Sequence, residues 1–505
     1  MMCREEINAG DALFERFLQM EEKYDCMHMR IGEFYFWQYC RFFFFNNVIL
    51  PRYVKFGDAH PDINHSSSLN SSHKTLFSRL IRSILKRYFR LYCFLFRNAE
   101  MSFKKRPILF SLSPRMMSVD ERGNVPIMLD FIVDGLKTRY AVLQHKAFTG
   151  KYVRLPKQYR VFWLSEPSKK RVALIKHRLA SCDFSESISR ESQRVVKILG
   201  DTFNVKIKID EINQIVVDSV RIWLGHKEEF RSWLKHLGVK CLVLSVAYDT
   251  YNMLLSEVAH ELGITVVELQ HGLIYPAHIG YNAVKSHDLN RPDYLFIWGS
   301  LWRKGLRNYP RIKALETGYP FFDYALKRYP RRHREDNKIV ILFISQGTIG
   351  EQLSRIAVNM ADELSSEYEV RYKLHPSETN SWRTIYPWLN ESKVLTIDNN
   401  KTNIYSELSE SDLNIGVNST ALIEGFAYGT KALIIGDCLG AKTMEHYCQL
   451  GFSEYVVDVK DIAKQVIANT RTRITLKYST EELFKSDAVK NVVNAINAIV
   501  EGGAL

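Results

Sequence analysis

The chain has 505 residues, of which 46% are hydrophobic and 25% charged, and its formal net charge is +13. A chain of this length exceeds what one hydrophobic core usually supports, so we expect at least two domains. The composition excludes a disordered or fibrous protein. The excess of positive charge favours acidic partners, whether nucleic acid, anionic lipid or phosphorylated substrates.

The cysteines and the N-terminus bear on the compartment. The eight cysteines are scattered, and none stands in a C-x-x-C pair, which argues against a structural zinc site or a disulfide framework. The N-terminus lacks the apolar core of a signal peptide, and no uncharged apolar run approaches the roughly 20 residues of a membrane-spanning helix. We therefore predict a cytoplasmic protein.

Residues 1–104 are predicted to form a helical N-terminal extension with two parts, separated by a polar loop at 59–72. Aromatic side chains crowd residues 34–45, which is more typical of a buried helix, because exposed aromatic patches are rare. Residues 78–97 alternate basic and apolar side chains at helical spacing. Such a helix either rests on an anionic membrane surface, at the inner face of the cytoplasmic membrane, or packs with its charges in water.

From residue 105 short apolar strands alternate with helices. The predicted strands are 108–112, 140–143, 159–164, 241–246, 264–269 and 294–298, and the predicted helices include 127–136, 251–262 and 301–309. This alternation predicts a parallel sheet with helices on both faces, in a domain that covers residues 105–334.

A basic run at residues 327–334 interrupts the pattern and is interpreted as an interdomain linker. The alternation then resumes in a domain covering 335–505, with strands at 339–344, 368–374, 394–397, 413–416, 432–435 and 455–457 and one or two closing helices within 480–500. We therefore predict an α/β protein with two doubly wound sheets, whose strand carboxyl ends face a common cleft.

Three strand ends in the second domain carry residues suited to a phosphate. The candidates are Ser345, Gly347 and Thr348 after the first strand, Lys373, His375 and Pro376 after the second, and Asn418, Ser419 and Thr420 after the fourth. The last three cap a helix predicted at 421–427, which Gly429 ends, and a helix start favours an anion. Ordinary β-α turns with polar caps are the alternative.

Three further positions stand out. Glu424 lies one helical turn after Thr420 and outside the capping-box position, so capping does not account for it. His271 follows the strand at 264–269 and is a candidate general base, although a lone histidine is as often structural. The segment 317–323 is interpreted as a turn and helix start, because glycine and proline form turns.

Four short segments together resemble a known family. They are Gln270-His-Gly272, Thr317-Gly-Tyr-Pro-Phe-Phe-Asp323, Lys373-Leu-His-Pro376 and Asn418-Ser-Thr-Ala-Leu-Ile-Glu-Gly425. In this order they resemble the GT-B glycosyltransferases of bacterial surface polysaccharide synthesis, namely polysialyltransferases, capsule Kdo transferases and the teichoic-acid polymerases that use CDP-glycerol. The resemblance covers roughly residues 105–475.

The resemblance implies a GT-B-like fold, with two Rossmann-like domains facing an interdomain cleft, and a nucleotide-sugar donor, for which a cytidine nucleotide is favoured. His375 would contact the donor phosphate and act as an acid toward the leaving nucleotide, beside Ser419 and Thr420, while Glu424 would bind the ribose. His271 would deprotonate a polysaccharide or glycolipid acceptor. A carboxylate base, as in polysialyltransferases, stays open.

No Asp-x-Asp triplet occurs in the chain, although metal-dependent GT-A transferases usually hold the donor diphosphate through one. We therefore expect neither a metal nor a cofactor, with the helix dipole, histidine and basic residues neutralising the phosphate. Two other functions remain open, a GT-B-fold nucleotide-sugar epimerase and a non-catalytic basic scaffold. No nucleic-acid-binding motif is recognisable, so no nucleic-acid partner is expected.

Overall fold

The structure is a computed structural model, and it describes residues 9–53, 105–112, 116–119, 123–144, 161–163, 169–284, 290–307, 312–332, 334–397, 402–436, 438, 440–456, 458–471 and 477–503. The polar loop predicted at 59–72 and the basic helix predicted at 78–97 lie outside these residues. Within them, no helix is both long and apolar enough to cross a membrane.

The first sheet has seven parallel strands, and a separate antiparallel hairpin precedes its second strand. In chain order these strands and the hairpin are β1 (Ile108–Leu112), the hairpin β2 (Met116–Val119) and β3 (Gly123–Pro126), β4 (Tyr140–Gln144), β5 (Val161–Trp163), β6 (Cys241–Leu244), β7 (Thr265–Leu269), β8 (Tyr294–Ile297) and β9 (Lys313–Glu316). The strand order across the sheet is β5-β4-β1-β6-β7-β8-β9.

Helices precede, cover and follow the first sheet. They are α1 (Ala9–Lys23), α2 (Phe36–Phe43), α3 (Leu50–Tyr53), α4 (Asp130–Val133), α5 (Lys169–Ala180), α6 (Cys182–Phe203), α7 (Ile209–Leu237), α8 (Thr250–Glu261) and α9 (Pro320–Arg328), with 3-10 turns at Cys26–His28 and Ser300–Gly305 and a π turn at Phe44–Ile49.

The second sheet has six parallel strands. They are β10 (Ile339–Ile344), β11 (Tyr368–Lys373), β12 (Leu395–Ile397), β13 (Leu413–Gly416), β14 (Lys431–Ile435) and β15 (Ser453–Val456). Its helices are α10 (Gly350–Glu363), α11 (Trp382–Ile385), α12 (Ile404–Glu410), α13 (Thr420–Glu424), α14 (Glu445–Gln449), α15 (Ile462–Arg471), α16 (Thr480–Leu483) and α17 (Ala488–Glu501), with 3-10 turns at Pro387–Leu389, Gly425–Tyr428, Ala441–Met444 and Val459–Asp461.

The order β12-β11-β10-β13-β14-β15 is that of a Rossmann-like sheet, in which the chain first winds to one side of β10 and then to the other. The first sheet reverses in the same way between β1 and β6. These reversals are the topological switch points, where neighbouring crossovers leave a crevice at the strand carboxyl ends. The prediction of an α/β, GT-B-like protein with two doubly wound sheets is confirmed, whereas the domain boundaries at 104 and 334 stay predictions.

Side chains of the first sheet alternate between two hydrophobic cores. Phe110 and Val243 point into a core that continues into the second sheet, whereas Leu109 and Leu242 point into one formed with α1, α2 and the long helices α6 to α8. Period-two alternation across a sheet with both faces covered produces this division. The aromatic run predicted to be a buried helix is confirmed, since α2 buries Phe36 and Trp37.

A buried ion pair joins the N-terminal helices to the loop after β7. Arg41 donates two hydrogen bonds of 2.8 Å to the Glu21 carboxylate, and both side chains are fully buried. The same guanidinium donates to the carbonyl oxygens of Ile279 (2.8 Å) and Asn282 (3.1 Å). Its planar fork of donors therefore fixes the path of residues 279–282.

The closing helices predicted within 480–500 are confirmed as α16 and α17, and α17 packs on the first sheet. The Lys137 N–H donates to Asn497 Oδ1 (3.2 Å), and the Lys485 N–H donates to the Trp298 carbonyl (2.7 Å). Gly318 has φ +87°, and a Cβ there would lie 2.2 Å from the Lys485 carbonyl. The predicted turn at 317–323 is confirmed, since Pro320 begins α9.

Some elements differ from the sequence-based expectations. The helix predicted at 127–136 is a single turn, α4, which lies between Pro126 and Gly135, and Gly135 packs on Val493. The helix predicted at 301–309 is a 3-10 turn, and its Gly305 lies close to the Ile274 carbonyl. The basic run 327–334 begins inside α9, so its first residues are helical. Helices α5 to α7 and strand β9 were not anticipated.

Replacing Arg41 by Ala should lower the free energy of unfolding by about 3 to 5 kcal/mol, because it leaves the Glu21 carboxylate buried without its cation. Arg221→Ala is the matched control, since the Arg221–Asp218 pair is about half exposed on both sides and should contribute under about 1 kcal/mol. Thermal or urea unfolding of both variants checks this. Equal small losses would contradict the role given to Arg41.

Candidate functional site

Three loops meet at the switch point of the second sheet. They follow β10 (residues 345–349), β11 (374–378) and β13 (417–419), and we call them the switch loops. A Cβ on Gly347 would lie 2.5 Å from Ser377 Oγ and 3.6 Å from His375 Nδ1, so the first two loops touch. The Asn418 N–H donates to Gln346 Oε1 (3.4 Å) and joins the third. The fold thus brings together the three strand ends predicted from the sequence.

His375 is exposed, and its own loop fixes its ring. The Ser377 N–H donates to His375 Nδ1 (3.2 Å), and Ser377 Oγ lies 2.7 Å from the same atom. Desolvation of the ring lowers the pKa of His375, against the opposing effect of Glu378. Nδ1 therefore accepts, the neutral ring carries its proton on Nε2, and this N–H is available to a ligand.

Glu378 holds these loops together, and sequence reasoning missed it. The buried carboxylate accepts hydrogen bonds from the His375 N–H (2.7 Å), the Ser345 hydroxyl (3.0 Å) and the Tyr386 hydroxyl (2.8 Å). Ser345 Oγ also lies 2.8 Å from the Tyr372 hydroxyl. The signal that could have found Glu378 is its place three residues after His375, where a carboxylate can reach back to the preceding N–H.

The remaining predicted residues on β10 and β11 differ in exposure. Thr348 and Pro376 are exposed on the switch loops. Lys373 is only 3% exposed, and its ammonium donates to the Thr402 carbonyl (2.8 Å) in the segment that precedes α12. The cation expected beside the phosphate therefore reaches across to another part of the second domain.

The segment after β13 forms the predicted cap and a shorter helix than expected. Ser419 Oγ accepts from the Ala421 N–H (3.3 Å), Thr420 begins α13, and a 3-10 turn continues to Gly429 at φ +77°. The Thr430 hydroxyl donates a hydrogen bond to the Gly425 carbonyl (2.9 Å), which stabilises this turn. The predicted end at Gly429 is confirmed.

Glu424 is buried on α13, with 2% of its surface exposed. Burial and the nearby Glu424 carboxylate raise the pKa of Tyr428 above its ordinary range, which places this hydroxyl beside the carboxylate. The side chain thus lies near Tyr428 at the end of the short helix that Ser419 caps, and a ribose at this position stays a prediction.

His271 lies at the carboxyl end of the first sheet, inside a group of aromatic side chains. Its Nε2 lies 3.0 Å from the Tyr248 hydroxyl, and its Nδ1 lies 3.0 Å from the Tyr281 hydroxyl. About a quarter of the side chain (23%) is exposed. Tyr248 follows β6 and His271 follows the neighbouring strand β7, which explains how residues so far apart in sequence meet.

A buried carboxyl lies behind this histidine. Glu268, on β7, is 2% exposed, accepts from the Ala247 N–H (3.0 Å) and lies 3.8 Å from His271 Nδ1. Burial raises the pKa of Glu268 to about 8. A pocket of about 200 Å³, lined in part by Glu268, Tyr281 and Arg291, lies against the group.

His278 completes the group and stays neutral. Burial lowers the pKa of His278 to about 4, and the Gly280 N–H donates to its Nδ1 (3.1 Å). Its ring packs 4.7 Å from the Tyr281 ring and 5.5 Å from the Tyr248 ring. Sequence reasoning missed Tyr248, Glu268 and Tyr281, whose identities carry no motif of their own.

Contacts connect the His271 loop to the second sheet. The Tyr447 hydroxyl on α14 donates to the Ile274 carbonyl (2.7 Å). The 3-10 turn before α14 begins after Gly440, where a Cβ would lie 2.3 Å from Asn418 Nδ2. The loop that carries His271 and the switch loops therefore border the same interdomain region.

No protein-family profile and no curated protein sequence matches the chain. Among solved structures, a putative UDP-N-acetylglucosamine 2-epimerase from Listeria monocytogenes aligns over 79% of this chain and 98% of its own, at 10% identity and a TM-score of 0.46. The UDP-GlcNAc 2-epimerase from Methanocaldococcus jannaschii aligns over 78% and 99%, at 12% identity and 0.44. The wall teichoic acid polymerase TagF aligns over 84% and 98%, at 12% identity and 0.41.

The high pKa of Glu268 predicts a pH-dependent stability. The unfolded chain releases this proton near pH 4.5 and the folded chain near pH 8, so the folded state binds more protons between these values and its stability falls as pH rises through them. Glu268→Gln removes this titration. Relative to the wild type, the variant should gain on the order of 2 to 4 kcal/mol between pH 5 and 8.

Thermal unfolding of both proteins across this pH range measures the effect. Glu257→Gln is the control, because Glu257 is a partly buried carboxylate with Lys227 as its cation. Stability curves that stay parallel for the wild type and Glu268→Gln would show that Glu268 ionises at its ordinary pH.

Proposed function

We propose that this chain is a metal-independent glycosyltransferase. It moves a sugar from a nucleotide-sugar donor, with a cytidine nucleotide favoured, to a surface polysaccharide or glycolipid acceptor. One observation carries the proposal. The three switch loops meet at the crevice of a Rossmann-like sheet, and the loop that bears His271 borders the same interdomain region.

The donor phosphate is proposed to bind at the switch loops. His375 offers its Nε2 N–H, and Ser419 and Thr420, where α13 begins, are proposed to bind the phosphate beside it. Gly347, Thr348 and Asn418 line the approach, and Gly347 allows it because no Cβ stands against Ser377. These neutral donors suit a phosphate that leaves with negative charge.

In the proposal, the remaining predicted donor-site residues support the groups that bind the phosphate. Glu378 accepts from the His375 main chain, and Ser345 donates to the Glu378 carboxylate, so that Pro376 and the ring keep one orientation. Lys373 ties β11 to the segment before α12, and its positive charge stays within the second domain. Glu424, buried on α13, is proposed to bind the ribose hydroxyls.

His271 is proposed as the base for the acceptor hydroxyl. Its ring stands at the carboxyl end of β7, about a quarter exposed, with both nitrogens beside tyrosine hydroxyls that can give way to a substrate hydroxyl. The acceptor class, the cytoplasmic location and an anionic membrane contact through residues 78–97 belong to the same proposal and rest on the sequence.

An epimerase acting on a nucleotide sugar is the second candidate, and one observation favours it. Glu268 lies beside His271, and a proton-holding carboxyl next to a histidine is a pair of proton-transfer groups, whereas a transferase requires one base. The product separates the two functions. An epimerase returns the sugar on its nucleotide, whereas a transferase releases the free nucleotide and extends an acceptor.

Thermal shifts against CMP, CDP, UDP and GDP test the donor site. A nucleotide at 100 times its dissociation constant stabilises the folded state by about 2.7 kcal/mol. His375→Ala should lower the affinity for the nucleotide that binds by about 10- to 100-fold, because the substitution removes a hydrogen bond to a charged phosphate. His28→Ala, an exposed histidine in the N-terminal segment, is the control. No response to any of the four nucleotides would overturn the enzyme proposal in favour of a scaffold.

His271→Ala should spare nucleotide binding and lower sugar transfer by about 10²- to 10⁴-fold, as expected when a general base is removed. The measurement is nucleotide release from a radiolabelled or mass-tagged donor in the presence of acceptor. Turnover retained at the wild-type rate would assign the base to another group, of which a carboxylate is the open alternative.

A further inference from the structure

The buried carboxyl of Glu268 takes no part in the proposed reaction as stated, although it lies 3.8 Å from the proposed base. It is on β7, three residues before His271, and nearly all of its surface is buried. Burying a carboxyl group lowers the stability of the folded state when the group is ionised, because desolvation opposes its charge. Its position therefore calls for a reason connected with the histidine.

The ring of His271 has two possible arrangements when neutral. One nitrogen carries the proton and donates, and the other accepts. Both nitrogens lie 3.0 Å from a tyrosine hydroxyl, Nε2 from Tyr248 and Nδ1 from Tyr281, and a hydroxyl can donate or accept. The two tyrosines therefore fit either tautomer, and the choice depends on what else surrounds the ring.

Glu268 makes the two arrangements unequal. Its Oε1 is on the Nδ1 side of the ring, at 3.8 Å, where a carboxylate attracts an N–H and repels a lone pair. The Ala247 N–H holds this oxygen in place (3.0 Å). Arg291 and Asp249 are the other charged side chains that act on Glu268, and they oppose each other.

We propose that ionised Glu268, together with Tyr281, holds His271 with its proton on Nδ1, so that Nε2 is the atom that takes the acceptor proton and Glu268 is a positioning residue. This inference rests on the proposed function for the reaction, although the tautomer itself does not. Nε2 then accepts a hydrogen bond from the Tyr248 hydroxyl, which marks the position that an acceptor hydroxyl takes.

Tyr248 is itself held in place. Its ring stacks on Phe42 of α2 at 5.0 Å, and a Cβ on Gly280 would lie 2.5 Å from the same ring. Phe42 adjoins Arg41, whose guanidinium fixes residues 279–282. The N-terminal helices therefore set the side of the ring on which the acceptor hydroxyl approaches.

In the transfer step the acceptor O–H bond breaks and its proton forms an N–H bond at His271 Nε2. The oxygen electron pair forms the new bond to the anomeric carbon, and the bond from that carbon to the phosphate oxygen breaks, its electron pair leaving with the nucleotide. His271 becomes an imidazolium with positive charge on both nitrogens. Above about pH 8, where Glu268 is ionised, its carboxylate stabilises that charge at Nδ1.

Nitrogen-15 NMR of the full-length protein labelled at histidine reads the tautomer without any substrate. Spectra are compared above about pH 8, where Glu268 is ionised, for the wild type, Glu268→Gln and Glu257→Gln, with His271→Asn assigning the signal. The wild type should show a protonated Nδ1 and a bare Nε2. Glu268→Gln should move the population toward the other tautomer, and Glu257→Gln should leave it unchanged.

A wild-type ring protonated on Nε2, or a spectrum of Glu268→Gln identical to the wild type, would overturn the inference whatever the protein does. The kinetic arm applies once nucleotide binding and transfer are measured. Above about pH 8, where Glu268 is ionised, Glu268→Gln should lower kcat by about tenfold or more with little change in the donor KM, because Glu268 acts through the base, and Glu268→Asp should restore part of the loss. Failure of every nucleotide to bind would instead reject the proposed function and leave the NMR result standing.

Discussion

The parallel pairing of β10 with both β11 and β13 is the constraint on which the candidate donor site depends. Parallel strands need crossovers, and a change of winding direction beside β10 leaves the loops of these three strands side by side. Glu378 then adds hydrogen bonds between neighbouring loops, which the topology alone does not provide. By accepting from the His375 main chain and from Ser345, it fixes the loop of one strand to the loop of its neighbour.

The sequence predicted the sheets well because their signal is local. Strand β10 is a run of six apolar residues buried on both faces, and such a run is recognisable without its partners. The loops after β10, β11 and β13 were predicted for the same reason, since each motif directly follows its strand. Helix α13 is shorter than predicted because the chain continues as a 3-10 turn, and the first carbonyl of that turn, at Gly425, accepts a hydrogen bond from the side chain of Thr430.

The remaining features depend on long-range contacts that no local pattern encodes. Lys373 sits at a strand end like His375, yet the path of the chain before α12 brings the Thr402 carbonyl to its ammonium. Tyr248 and Tyr281 surround His271 because β6 and β7 are neighbours and because Arg41, more than two hundred residues away, holds the loop. The N-terminal helices, which look like an appendage in the sequence, are part of the wall behind the proposed base.

The position of α17 bears on how the protein is made. This helix follows all six strands of the second sheet in the chain, yet it packs on β6 of the first sheet, and its Asn497 Oδ1 accepts a hydrogen bond from the Lys137 N–H. The part of the first sheet's core that α17 covers can therefore be completed only after the second sheet has been synthesised. The sheet whose strands come first in the chain is completed last, so its folding depends on residues that lie beyond the second sheet.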